Sequence, residues 1–233
     1  MSQSSIPYHS IVATAPSNEY DAIASFLLEE LPHEWDRAYR TMCIHSPELL
    51  RITIGSFEYI FDPVELGVRA GTISADKACE DRVVAVHGRS SQPSEPRRDH
   101  LMRGRPLGAV DVIAEGSREK YDKGHFIAHT IGGGIEINIF PQVRALNRGQ
   151  GKHRGFRQME RFCQKHPGTY LFIRPTYLGR SWHPATLEFG VLKPDGTLWL
   201  EVFQNFGEQA EIEEIERLVG PAITNFLRAR GVR

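Results

Sequence analysis

Tyr-Asp-Lys-Gly-His at residues 121–125 and Asn-Ile-Phe-Pro-Gln at residues 138–142 are the stretches around which this chain is organised. Asn147 follows the second stretch, and residues 156–160 run from Phe to Glu on a segment with helical periodicity. One histidine, several carboxamides and a carboxylate therefore fall within a short part of the chain that is rich in Arg and Lys. This concentration of polar groups indicates a chemical site rather than a packed core.

These residue types suit the cleavage of a phosphodiester bond. A neutral imidazole can take a proton from water, because its reference pKa is about 6.5. The carboxamide oxygen of an Asn suits Mg²⁺, which keeps most of its waters and binds substrate oxygens directly. The pattern therefore indicates a histidine base with a divalent cation.

The positive charge is confined to the same part of the chain. Residues 1–90 carry a net charge of −6, residues 91–180 carry +8 and residues 181–233 carry −3, although the whole chain has −1. A polyanion such as DNA or RNA would therefore be bound by the middle third. The alternative is a solvated basic face without a specific ligand.

Three motifs in order resemble the DNA/RNA non-specific endonucleases of the His-Me finger (ββα-metal) superfamily, in particular their bacterial toxin-like branch. That family has Asp-Arg-Gly-His on a strand, Asn-x-x-Pro-Gln-x-x-x-x-Asn, and a helix with an aromatic residue four positions before a Glu. Here the motifs read Asp122 to His125, Asn138 to Asn147, and Phe156 to Glu160. The likeness covers residues 103–205, and Lys123 departs from it by replacing Arg, which loses a planar two-pronged grip on phosphate.

The resemblance implies a role for each motif residue. His125 is expected to be the general base, and Asn147 the protein ligand of one Mg²⁺ or Mn²⁺ ion. Lys123 and Glu160 are expected to complete the catalytic set, with Glu160 holding metal-bound water or orienting the site. The expected supporting residues are Asp122, Gly124, Asn138 and Gln142. The expected nucleic-acid-binding residues are Arg144, Arg148, Arg157 and Arg161.

The resemblance predicts a metal-dependent endonuclease of low sequence specificity, with a toxin or effector role and an immunity or inhibitor protein as partner. Two alternatives stay open. One is an HNH-type nuclease of higher specificity in which His153 joins the metal, and the other is a nuclease-derived module that binds nucleic acid without cutting it. For single residues, His125 could be a buried structural histidine, and Glu160 could simply pair with Arg157 or Lys165 on the helix surface.

The cysteine content and the hydropathy of the chain indicate the cellular compartment in which the protein is expected. Three Cys residues, widely spaced, argue against a disulfide framework and a CxxC metal clip. No apolar run reaches about 18 residues, and no signal-peptide pattern opens the chain. A cytoplasmic protein without a membrane partner is expected, with delivery by a non-classical route as a further option. The sequence does not determine the oligomeric state.

The predicted fold class is α+β, with a ββα-metal core on a mainly antiparallel sheet and an α+β N-terminal region. The turn-rich run at residues 88–98 predicts a boundary, with residues 1–95 of unknown role and residues 96–233 forming the nuclease domain with a C-terminal helix. Helices are predicted at residues 18–31, 34–41, 63–70, 154–165 and 208–230. Strands are predicted at residues 49–61 (a hairpin), 82–87, 109–114, 123–129 and 169–174, and residues 186–192 and 198–203 are predicted to form a second hairpin across the turn sequence at residues 193–196.

Overall fold

The computed structural model describes residues 5–41, 48–76, 78–93, 121–135, 137–177, 180 and 182–205. The predicted strand at residues 109–114 and the predicted helix at residues 208–230 lie outside these residues, as do residues 94–98 of the predicted boundary region.

A six-stranded antiparallel sheet runs through the molecule in the order β1-β2-β3-β6-β7-β8. Its strands are β1 (Leu50–Ile54), β2 (Phe57–Asp62), β3 (Arg82–Arg89), β6 (Tyr170–Tyr177), β7 (Pro184–Leu192) and β8 (Leu198–Gln204). A separate antiparallel ribbon joins β4 (Tyr121–His125) to β5 (Ile139–Val143). The predicted α+β class with a mainly antiparallel sheet is confirmed, as are both predicted hairpins.

The helices lie between and beside these strands. They are α1 (Tyr8–Ala13), α2 (Tyr20–Arg40), α3 (Val64–Arg69), α4 (Arg144–Asn147) and α5 (Arg154–Lys165), with 3₁₀ turns at His129–Ile131 and Gly151–His153. The predicted bounds of α5 are confirmed. Among the helices of the described part, none is long and apolar enough to cross a bilayer.

Successive side chains of the sheet enter two different cores. Leu171 and Ile173 on β6 pack with residues of the ribbon and α5, whereas Tyr170 and Phe172 pack with α1 and α2. This follows from the two-residue period of a strand. The sheet therefore separates a helical layer on one face from the ribbon and α5 on the other, and the three sequence motifs share one face.

Helix α2 corrects a prediction. The predicted end at residue 31 and the separate helical piece at residues 34–41 are wrong, because α2 continues through Pro32 to Arg40. An interior proline costs about 3 kcal/mol in a helix. Leu27, Leu31 and Trp35 recur at helical spacing and are fully buried against the sheet, so burial of this apolar face offsets the cost.

The two predicted regions of the chain share the sheet. β3, which precedes the predicted boundary at residues 95/96, pairs with β6, which follows it. The Tyr8 hydroxyl of α1 also donates a hydrogen bond to Glu188 of β7 at 2.6 Å. The boundary itself stays a prediction.

Candidate functional site

The β4–β5 ribbon brings the first two motifs together. Its register pairs Asp122 with Gln142 and Gly124 with Phe140. Helix α4 begins directly after β5 and carries Asn147 as its last residue. Because β4 and β5 are antiparallel, the end of the second motif lies close to the beginning of the first motif.

Three side chains of the second motif region converge on the Asp122 carboxylate. Arg144 Nε donates to Oδ1 at 2.9 Å, and Arg148 Nε donates to Oδ2 at 2.9 Å. Arg148 Nη2 also approaches Oδ1 at 3.4 Å. Asn147 Nδ2 donates to Oδ2 at 3.2 Å. We call these four residues the Asp122 cluster.

The Asp122 cluster carries more positive than negative charge, because two guanidinium groups share one carboxylate. Partial burial raises the pKa of the Asp122 carboxyl, but hydrogen bonds from Arg148, Asn147 and Arg144 outweigh this and hold the pKa below its usual value. The Asp122 side chain is 17% exposed, whereas those of Arg144 and Arg148 are 38% and 52% exposed. The excess positive charge therefore lies at the surface.

Asn138 braces the loop that follows β4. Its Oδ1 accepts from Ile127 N at 2.8 Å, and its Nδ2 donates to Ile127 O at 2.7 Å and Gly134 O at 2.8 Å. Because this carboxamide satisfies both backbone groups of Ile127, the strand ladder is not continued there. The predicted strand through His129 is therefore wrong: β4 ends at His125, and His129 begins a 3₁₀ turn.

Gly124 is needed because of Gln142. A Cβ at Gly124 would lie 2.3 Å from Gln142 Cβ and 2.4 Å from its Oε1. Gln142 is 1% exposed, and its carboxamide has no hydrogen-bond partner among the residues that the structure describes. The glycine thus makes room for a buried carboxamide beside Asp122.

Lys123 and His125 alternate with Asp122 and Gly124 along β4. Their cross-strand partners are Pro141 and Ile139. Since successive side chains of a strand point to opposite faces, Lys123 and His125 share a face that Asp122 does not. The contacts of Asp122 therefore do not by themselves bring Asn147 to His125.

Glu160 of α5 is buried, which corrects the prediction that it lies on the helix surface. It is 7% exposed, and its Oε2 accepts from Arg157 Nη1 at 2.9 Å. Burial raises the pKa of the Glu160 carboxyl, and the bond and charge of Arg157 oppose the shift only in part. Glu160 therefore pairs with Arg157, as the structural alternative predicted, but its carboxylate is buried and does not lie on the exposed helix surface.

Two of the predicted nucleic-acid-binding arginines lie on α5. The stem of Arg157 packs against the turn before α5, since a Cβ at Gly149 would lie 2.5 Å from Arg157 Cγ. Gly149 has φ +62°, so the turn itself favours glycine. Arg161 is exposed one turn later on α5. Of the two arginines, Arg157 therefore lies beside the turn that follows α4.

Asn205 anchors the ribbon to the sheet, and sequence reasoning did not assign it this role. Its Oδ1 accepts from Val143 N, and its Nδ2 donates to Pro141 O and Pro184 O, each at 2.9 Å. All these partners are more than twenty positions away in the sequence, so no local pattern could have indicated them. Asn205 holds the strand that leads into α4.

The metal prediction rests on one carboxamide. Within the described ranges no group of three or more His, Cys, Asp or Glu side chains could hold a metal ion. Asn147 donates through its nitrogen to Asp122, which leaves the carboxamide oxygen for a cation. Such a donor set fits a hard cation that keeps its waters and binds substrate oxygens.

The described residues define an α+β protein whose mainly antiparallel sheet carries a ribbon with a basic cluster. No family model matches the sequence, and a search of curated proteins found no match. Among solved structures, the Sda1 nuclease with a bound zinc ion is similar with a TM-score of 0.33 and 15% sequence identity, over 73% of this chain and 81% of that chain. A likeness at this level does not establish a shared activity.

Proposed function

We propose that this chain is a metal-dependent nuclease that hydrolyses phosphodiester bonds of DNA, RNA or both with low sequence specificity. The observation that carries the proposal is the Asp122 cluster. A carboxamide of the second motif is hydrogen-bonded to a carboxylate of the first motif, between two arginines. The family resemblance implied that both motifs contribute to one site.

Asn147 would hold the cation, Mg²⁺ or Mn²⁺, through its carboxamide oxygen. The hydrogen bond from its nitrogen to Asp122 fixes the orientation of the carboxamide. When bound, such an ion neutralises charge on the phosphoryl and leaving oxygens. Asp122 is thus a positioning residue in this proposal.

His125 would act as the general base. Its imidazole takes a proton from the water whose oxygen attacks phosphorus, the bond from phosphorus to the leaving sugar oxygen breaks, and that oxygen takes a proton from solvent. Lys123 lies on the same face of β4 by strand alternation. Its ammonium group would bind a phosphoryl oxygen as a point charge.

Glu160 would support the site through Arg157. Its carboxylate accepts a hydrogen bond from that guanidinium group, so it would orient Arg157 toward the nucleic-acid backbone. Glu160 would then be a positioning residue. Arg161, which is exposed on the same helix, would make a further contact to the nucleic-acid backbone. The toxin role and the immunity protein rest on the family resemblance alone and stay predictions.

The test is cleavage of plasmid DNA, single-stranded DNA and RNA in parallel with Mg²⁺. His125→Ala should lower the rate by about 10²–10⁴-fold, the usual contribution of a general base, and EDTA should stop cleavage by the wild type. The matched control is His33→Ala, which removes an exposed histidine on α2 and should cleave normally. Full activity of His125→Ala, or wild-type cleavage in EDTA, would exclude this mechanism.

The same assay separates the two alternatives. A module that binds without cutting would retain nucleic acid and yield no fragments. An HNH-type enzyme would lose metal binding in His153→Ala, because His153 would then be a ligand; it closes the 3₁₀ turn before α5. The proposal expects metal binding by His153→Ala to match that of the wild type.

A further inference from the structure

The Asp122 cluster contains two arginines, although one guanidinium group would be enough to neutralise the Asp122 carboxylate. Asp122 already accepts from Asn147 and would be neutralised by one guanidinium group, yet it holds two. Partly exposed ion pairs contribute only about 0.2–1 kcal/mol each. Arg144 and Arg148 are also four positions apart across α4, where like charges cost about 0.2–0.5 kcal/mol.

The geometry leaves donors directed away from the carboxylate. Arg144 uses Nε for Asp122, and Arg148 uses Nε and Nη2. Within the part of the chain that the structure describes, both Nη atoms of Arg144 and Nη1 of Arg148 make no hydrogen bond to protein. Two planar guanidinium groups are therefore fixed side by side with N–H groups available at the surface.

We propose that Arg144 and Arg148 form one preformed clamp for a single backbone phosphate of the nucleic acid, and that Asp122 positions both arms. This inference rests on the proposed function and deepens it. Guanidinium groups match the oxygens of a phosphate with two donors each, and fixing them in advance reduces the entropy lost on binding.

The clamp does not depend on the cation. Guanidinium groups bind a phosphate through their own charge and N–H groups, whereas the cation would be held by the carboxamide oxygen of Asn147. The clamp would therefore fix the position of the strand along the protein whether or not a cation is bound.

The test is the binding of a short fluorescein-labelled single-stranded DNA, followed by anisotropy in EDTA at several salt concentrations. Arg144→Ala and Arg148→Ala should each weaken binding by about tenfold, the loss expected for a charged hydrogen bond. The double variant Arg144→Ala/Arg148→Ala should lower the salt slope by about 0.7, the value for one phosphate contact on a single strand, and each single variant should lower it by less. Arg37→Ala, which removes an exposed arginine of α2, is the charge-matched control and should bind like the wild type.

Two further variants distinguish binding by a clamp from non-specific attraction of the nucleic acid by positive charge. The double variant Arg144→Ala/Arg148→Ala should lose less than the product of the single effects, because both arms bind one phosphate. Asp122→Asn should bind more weakly although it raises the net charge, because the arms lose their anchor. Multiplicative losses in the double variant, or tighter binding by Asp122→Asn, would overturn the clamp.

The outcome is independent of the cleavage assay. If the wild type neither binds nor cuts nucleic acid, the proposed function fails. If the wild type cuts or binds and Arg148→Ala matches Arg37→Ala, the clamp alone fails. Circular dichroism of every variant checks the fold, and Arg148→Lys, which keeps charge but loses the fork, should be weaker than the wild type if geometry matters.

Discussion

Glu188 and Asp122 are both carboxylates held by arginine, but their surroundings differ. Glu188 accepts from Arg174 Nη1 at 2.9 Å and from Tyr8 Oη at 2.6 Å, and both members of the ion pair are 3% exposed. Tyr8 Oη accepts in turn from Trp35 Nε1 at 3.0 Å. The buried group therefore has one cation for one anion and a continuous hydrogen-bond network.

The comparison shows how burial constrains charge. An unmatched charge in the interior costs several kcal/mol, so a buried network must balance. At the Asp122 cluster water reaches the arginines, and a surplus of positive charge is tolerated there. Balance at Glu188 is what a buried structural pair requires, whereas the surplus of positive charge at Asp122 is the feature on which the proposed phosphate clamp rests.

The largest effect is expected for Arg174→Met. Glu188 would keep its buried charge without its cation, and the free energy of unfolding should fall by about 3–5 kcal/mol in urea titrations. The control is Arg174→Met/Glu188→Leu, which removes both charges and should recover much of the loss. A loss below about 1 kcal/mol for the single variant would contradict the structural role of this pair.

An intermediate effect is expected on acidification, through His183. Its ring packs edge-on against Tyr121 at 4.9 Å between centroids. His183 directly precedes β7, so this contact joins the start of β7 to the ribbon beside Asp122. Burial lowers the pKa of His183 to about 4. From about pH 6.5 down to this value the unfolded chain binds a proton that the folded protein does not, so stability falls as pH falls.

The contribution of His183 to this fall is on the order of 3 kcal/mol. Urea unfolding of the wild type and His183→Gln across this pH range isolates it, because glutamine does not titrate. The variant should be less sensitive to acid than the wild type. Equal pH dependence in the two proteins would show that His183 does not stay neutral in the folded state.

The smallest effect on stability is expected for Asp122→Asn. Because the Asp122 cluster is partly exposed, the free energy of unfolding should change by less than about 1 kcal/mol, measured in the same urea titrations. The loss of unfolding free energy in Asp122→Asn is to be compared with the loss in Arg174→Met. If both variants lost comparable stability, Asp122 would be a structural centre like Glu188, and the contrast between the two carboxylates would disappear.

Local patterns predicted much of the fold. The two hairpins and α5 follow from alternation, turn residues and helical spacing. The failures have physical causes that lie outside local sequence. Pro32 is tolerated because α2 buries its neighbours on the sheet, and β4 ends early because Asn138 satisfies the backbone of Ile127.

The family resemblance implied that Asp122 and Asn147 belong to one site, and their side chains are hydrogen-bonded to each other. Their functional roles stay predictions. The Arg174–Glu188 pair was not predicted from the sequence. One signal was available, because each is a charged residue within an otherwise apolar strand. The structure places the two residues directly opposite each other. Asn205 offered no such signal, because its three partners are distant in the chain.

The sequence by itself determined the residue types, their order and their spacing, and through these the expected chemistry and most elements, because these depend on local periodicity and side-chain identity. The tertiary structure alone decided which of these groups are buried and which distant charges meet. It buried Glu160 and brought two arginines to the Asp122 carboxylate. Burial and pairing depend on contacts between distant segments, and such contacts exist only once the chain has folded.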